Sequence, residues 1–260
     1  MVVLITGASA GIGKAAAELF LSKGCIVYNI SRSGSDVSGI HNICADVSDP
    51  LKVFEAVESV YAAQKRIDVL VNCAGFGISG SVENTSPDNM QKIFAVNFLG
   101  TAYMCRSVIP IMRGQNGGMI INVGSVAGRI PIPFQAFYSA TKAAVGSFGQ
   151  ALRSEVKPFG IRVTSILPGD VKTEFTARRE KNPLDDKAYG DRIERSVKKM
   201  EKDEQNGLPA SLIAAQIFRL SRRKNPPLGV IGGKAYSLLL FLSRFLPERT
   251  VSFLIGKLYG

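Results

Sequence analysis

The chain has one histidine in 260 residues, His41, and no tryptophan. A single imidazole excludes a histidine-rich metal centre and any Ser-His-Asp triad built elsewhere in the chain. His41 itself reads as a loop residue ahead of a strand. The four cysteines, Cys25, Cys44, Cys73 and Cys105, are widely separated and form no CxxC pair. That spacing offers neither a zinc knuckle nor a disulfide framework, and a chain of this size needs no staples. No charge-free apolar run approaches the length of a membrane-spanning helix. Met1 leads straight into an apolar strand pattern rather than a signal peptide, so a cytoplasmic protein with reduced thiols is expected. Repeats and low-complexity tracts are missing too. The net charge is +11, yet there is no zinc-finger spacing and no basic groove interleaved with aromatics, so nucleic acid is not expected as a partner. The basic clusters Arg178-Arg179, Lys198-Lys199 and Arg222-Arg223-Lys224 read as solvated faces.

What is present is a repeated alternation of strand and helix. At 46% apolar and 20% charged residues, the chain is expected to form one domain, 1–260, around a large core. Short apolar runs at 2–5, 26–30, 40–45, 68–71, 119–123, 162–167 and 228–232 read as strands. Helical patterns cover 14–22, 50–64 and 138–156. A further long helical region opens at Ser86-Pro87, a capping serine followed by a first-turn proline. Continuous apolar strands in such an alternation imply an α/β fold, a parallel sheet covered by helices on both faces.

The first strand runs into Thr6-Gly7-Ala8-Ser9-Ala10-Gly11-Ile12-Gly13 and then a helix. Strand, glycine loop and helix N-terminus form a setting for a dinucleotide pyrophosphate, because free backbone N–H groups point at it. An NAD site expects an acid at the end of the second strand for the ribose 2′-hydroxyl. Ser31-Arg32-Ser33 stands there instead, and Arg32 is a donor fork suited to a 2′-phosphate. NADP(H) is therefore expected in preference to NAD(H). Further along, Tyr138 and Lys142 lie four residues apart at the start of a helix, hence on one face. A phenol beside an ammonium is a proton-transfer device. Asn97, a polar residue in the apolar stretch 96–101, needs partners as a structural bracket or as part of a relay.

These motifs together resemble the classical short-chain dehydrogenases/reductases over most of the chain, from Thr6 to about Gly233. The set comprises Thr6-Gly7-x3-Gly11-x-Gly13, Asn72-x-Ala74-Gly75, Asn97, Ser125, Tyr138-x3-Lys142 and Pro168-Gly169-x-Val171-x-Thr173. The resemblance implies a single-domain Rossmann fold and an NAD(P)-dependent oxidoreductase that interconverts a carbonyl and a secondary alcohol. Tyr138 would be the general acid/base, and Lys142 would hold the nicotinamide ribose and depress the tyrosine pKa. Ser125 would hydrogen-bond the substrate oxygen, and Asn97 would support a water relay to Lys142. Gly7, Ser9, Gly11, Ile12 and Gly13 would line the pyrophosphate, and Asp46 and Val47 the adenine. Asn72, Ala74, Gly75, Pro168, Gly169 and Val171 would complete the cofactor wall, with Thr173 at the carboxamide. Two positions depart from the family pattern: Cys73 replaces a more usual Asn, and Ala10 stands where many NADP-using members carry a base.

The apolar loop 126–134 is expected in the substrate wall, which suggests a hydrophobic substrate of steroid, retinoid or acyl-chain type. Residues 174–205 form a charge-rich lid in the family's plan, expected to be mobile and solvated. The tail, 234–260, is apolar, with Val251, Leu254, Ile255 and Leu258 in an amphipathic stripe. It can pack near the substrate mouth, join subunits of a homodimer or homotetramer, or lie on a membrane; the first two uses are favoured. A 3-oxoacyl reductase, a non-catalytic dinucleotide-sensing scaffold and a sugar-nucleotide epimerase or dehydratase are the alternative readings.

Overall fold

The computed structural model describes residues 1–182 and 187–260. Its centre is a seven-stranded parallel sheet: β1 Val2–Thr6, β2 Ile26–Ser31, β3 His41–Cys44, β4 Val69–Asn72, β5 Gly118–Val123, β6 Ile161–Pro168 and β7 Gly229–Gly232. The strands lie in the order β3-β2-β1-β4-β5-β6-β7. All five residues of β1 are buried, which explains why this strand reads as an unbroken apolar run. Val2 and Leu4 enter one layer, with Val53 and Val57 of α2 (Pro50–Gln64) and Met104 and Val108 of α4 (Gly100–Gly114). Val3 and Ile5 enter the other, with Phe20 of α1 (Gly11–Ser22) and Ile217 of α7 (Ala210–Ser221). The expected doubly wound sheet is therefore present, and its order reverses between β1 and β4. The loops leaving these two strands diverge there, opening a crevice at the carboxyl ends.

Local chemistry sets the helix boundaries. Asp49 accepts from the N–H groups of Leu51 and Lys52 at 2.9 and 3.1 Å ahead of α2. The Ser86 hydroxyl accepts from Asn89 N at 3.2 Å ahead of α3 (Pro87–Phe94). A π-helical turn, Ala95–Leu99, joins α3 to α4. The resulting run, Pro87–Gly114, has the length and composition of a membrane-crossing helix, but Met104, Val108 and Met112 bury it in the core. His41 opens β3 rather than preceding it, stacked on Tyr28 with ring centroids 4.7 Å apart.

The expected solvated lid is folded onto the body. Residues 183–186 of that segment lie outside the described residues. In the remainder, α6 (Arg192–Gln205) buries Ile193, Val197 and Met200. Most of its charge is paired: Arg179 with Glu204, Lys181 with Glu201, Lys199 with Asp203 and Lys198 with Glu194. Arg179 is buried, not solvated as its sequence cluster suggested. The tail forms α8 (Lys234–Ser243) and α9 (Glu248–Tyr259). Leu240, Val251 and Ile255 pack with Val126 and Ile130. Leu254 and Leu258 remain 46% and 56% exposed, so only half of the predicted stripe turns inward.

Candidate active site

One cavity of about 630 Å³ lies at the carboxyl ends of the strands. Its walls include Gly7, Ser9, Gly11, Ile12, Arg32, Asp46, Val47, Ala74, Gly75, Ser125, Tyr138, Lys142, Pro168, Gly169, Val171 and Thr173. Sixteen predicted positions from seven separate stretches of chain thus converge on one space. Gly13, Asn72 and Asn97 are not on its wall, and each has a structural task instead. A Cβ at Gly13 would lie 2.3 Å from the Gly7 carbonyl oxygen, so this glycine lets α1 pack against the loop. The Asn72 amide donates to Asn122 Oδ1 at 2.9 Å inside the core.

The glycine loop is held from below. Buried Asn29 accepts from Ala8 N at 2.9 Å, and the Thr6 hydroxyl accepts from both Cys73 N and Ala74 N at 3.0 Å. Helix α1 has no side-chain cap at Ala10, so its first N–H groups need an outside acceptor. Gly11 N donates to the Glu174 carboxylate at 3.1 Å. That oxygen stands where an anionic ligand meets a helix N-terminus, which is the position a dinucleotide phosphate oxygen takes in such loops. At the far end, Ser31, Arg32 and Ser33 line the cavity. The nearest acid in sequence, Asp36, is paired with Lys14 at 2.6 Å. Asp46 accepts from the Ser48 hydroxyl at 2.7 Å, which fixes the turn after β3. The residues present therefore fit a dinucleotide.

Helix α5 (Ala136–Val156) carries Tyr138 and Lys142 on one face. The Lys142 ammonium is buried, donates to the Val123 carbonyl at 2.9 Å, and stands 5.7 Å from the Tyr138 ring centre. Burial lowers its pKa to about 8. Burial also pushes the Tyr138 phenol up to about 12, against the pull of the neighbouring Ser125 hydroxyl. Desolvation thus outweighs the local charges at Tyr138, and its phenol stands above its ordinary value. Asn97 sits in the π-turn, accepting from Phe76 N at 3.0 Å and donating to Phe76 O at 2.9 Å and Thr141 Oγ1 at 3.2 Å. Its amide ties the loop after β4 to α5, the structural bracket that was one of its two expected uses. The Cys73 thiol lines the cavity, and burial raises its pKa to about 11.

The substrate end holds residues that the motifs did not mark. Val126, Ala127 and Ile132 of the predicted apolar loop are there. Phe175, Met200, Asp170, Glu204, Tyr236 and Tyr259 join them. Phe175 tilts against Tyr138 with ring centroids 5.6 Å apart. Tyr236 packs so closely that a Cβ at Gly169 would fall 2.1 Å from its ring, and its hydroxyl donates to Asp170. The Tyr259 hydroxyl donates to Asp203 at 2.9 Å. The tail is therefore part of the cavity wall. Only its proximity in space shows this, since nothing in the order of residues links 236 or 259 to 138.

The sequence matches the family model for short chain dehydrogenases over residues 1–184. A 3-ketodihydrosphingosine reductase of Bacteroides thetaiotaomicron is 38% identical, over 100% of this chain and 98% of its own. An NADPH-dependent 3-dehydrocapnine reductase of Ornithobacterium rhinotracheale is 29% identical, over 86% of this chain and 84% of its own. Among solved structures, a short-chain dehydrogenase from Streptomyces avermitilis superposes with a TM-score of 0.84 at 28% identity, covering 94% of this chain and 92% of that one. With Ser125, Tyr138 and Lys142 gathered at one crevice, the chain belongs to the short-chain dehydrogenases, as an NAD(P)-dependent oxidoreductase that interconverts a carbonyl and an alcohol.

Proposed function

We propose that the chain is an NADPH-using reductase of a long-chain ketone with a polar head, with Tyr138 as proton donor. The observation that carries this reading is the single cavity whose wall joins Ser125, Tyr138 and Lys142 to both an apolar pocket and the glycine loop. The dinucleotide, when bound, supplies hydride to the carbonyl carbon. Ser125 donates a hydrogen bond to the carbonyl oxygen, and Tyr138 gives that oxygen its proton. A phenol near 12 is fully protonated at neutral pH, which suits the reductive direction. Lys142, braced on Val123, keeps a positive charge beside the oxygen as it becomes negative, and Phe175 and Val126 exclude water from it.

Arg32, which lines the cavity and forms no salt bridge among the described residues, supports NADPH over NADH, and one relative is named for dependence on NADPH. The long-chain ketone is supported by the apolar wall and by the relative named for a 3-keto sphingoid base. Asp170 and Glu204 offer carboxylates for a polar or cationic head. The test is NADPH consumption with a 3-keto sphingoid base, a 3-oxoacyl thioester, a steroid ketone and a retinal. Turnover concentrated on the first, and abolished in Tyr138→Phe with NADPH binding retained, is the expected result. Full activity in Tyr138→Phe sinks the mechanism, and preference for the steroid or retinal sinks the substrate class.

A further inference from the structure

The two tail helices have two kinds of face. The inner side of α8 carries Tyr236 and Leu240, and that of α9 carries Val251, Ile255 and Tyr259. These reach the cavity wall through the two tyrosines. The outer side is apolar. Leu238, Phe241, Leu242, Phe245, Phe253 and Leu258 are each at least half exposed. At 100° per residue, Leu238, Leu239, Phe241 and Leu242 fall within one half of α8, opposite Tyr236 and Leu240. Nine of the nineteen exposed large apolar side chains among the described residues lie in this tail. A concentration of that kind marks a surface that something covers.

Charge decides between the two occupants such a face allows. The tail carries Lys234, Arg244, Arg249 and Lys257 against one acid, Glu248. All four cations are exposed, and none pairs with a carboxylate among the described residues. On α9, Arg249 and Lys257 flank Phe253 on the outer side, with Lys257 5.0 Å from the centre of its ring. A second copy of the chain would bring two faces of net charge +3 together, whereas an anionic lipid surface neutralises them. We infer that the outer faces of α8 and α9 rest on an anionic membrane surface. The apolar side chains enter the acyl boundary while the cations meet headgroup phosphates, and the cavity opens beside them. A water-insoluble substrate can then pass from the lipid layer to Tyr138 along Tyr236 and Tyr259.

The test reads partitioning rather than turnover, so it succeeds or fails independently of the substrate proposed above. The full chain is sedimented with vesicles of phosphatidylcholine alone or with one-third phosphatidylglycerol, beside the double variant Phe241→Asp, Phe253→Asp. Both positions are exposed and lie outside the cavity wall, and retained NADPH binding verifies the variant's fold. The wild type is expected to favour the anionic vesicles by at least about tenfold, with high salt and the double variant each removing that preference. Equal partitioning to both vesicles, or partitioning that the variant leaves unchanged, overturns the inference. So does a lipid-free dimer that the double variant converts to monomer, which would show a second copy covering the face.

Discussion

Replacing Lys142 with methionine should make the ligand-free protein more stable while destroying its activity. The ammonium is only 7% exposed, and burial lowers its pKa from 10.5 to about 8. At about 1.4 kcal/mol per pKa unit, holding that charge destabilises the fold by about 3 kcal/mol at neutral pH. Methionine fills a similar volume without charge, but it abandons the bond to the Val123 carbonyl, worth about 1–2 kcal/mol. The variant should therefore gain about 1–2 kcal/mol near pH 7, read as a shift in the urea midpoint without dinucleotide. The pH dependence follows from the lowered value. Between pH 8 and 10.5 the unfolded chain binds the proton more tightly, so wild-type stability rises with pH across that window. Below it the penalty is fully developed, and above it the penalty is gone. The advantage of Lys142→Met should thus shrink to nothing or reverse near pH 10. A variant less stable than wild type at neutral pH, or an advantage independent of pH, would refute the reasoning.

Three further substitutions separate the roles of neighbouring groups. Arg32→Ala should weaken NADPH binding by about tenfold or more and leave NADH binding unchanged, measured by fluorescence titration; equal losses for both would remove the 2′-phosphate role. Glu174→Ala clears the carboxylate from Gly11 N and should tighten NADPH binding by about two- to fivefold, the size of one charge at a helix terminus. Unchanged or weaker binding would show that this contact does not compete with the phosphate. Asn97→Ala strands both backbone groups of Phe76 and should lower stability by about 2–3 kcal/mol. A relay role alone would slow turnover and leave the urea midpoint where it is.

The catalytic centre was legible because its parts are local in sequence and sit in fixed relation to the strand ends. Tyr138 and Lys142 are one helical turn apart, and the glycine loop follows β1 without interruption. Periodicity placed α2 at 50–64, matching its observed bounds, because Asp49 and Pro50 mark the start chemically. The α6–α7 region carried no such mark. Charge along α6 suggested solvation, and Arg178, Lys198 and Lys199 are exposed, whereas buried Arg179 meets Glu204 across 25 residues. The pairing of opposite charges depends on the fold, and composition records only their number.

The sign of a pKa shift and the partners of a buried amide likewise depend on the fold. Sequence spacing shows that an ammonium stands near a phenol, but the sign of the shift depends on how much water each has lost. Here burial dominates for both, so Lys142 falls and Tyr138 rises. Asn97 shows the complementary lesson. Its three side-chain bonds are all made to Phe76 and Thr141, so it fixes the loop after β4 against α5, which spacing along the chain does not show. The Lys142→Met experiment measures directly what burying that ammonium costs the fold.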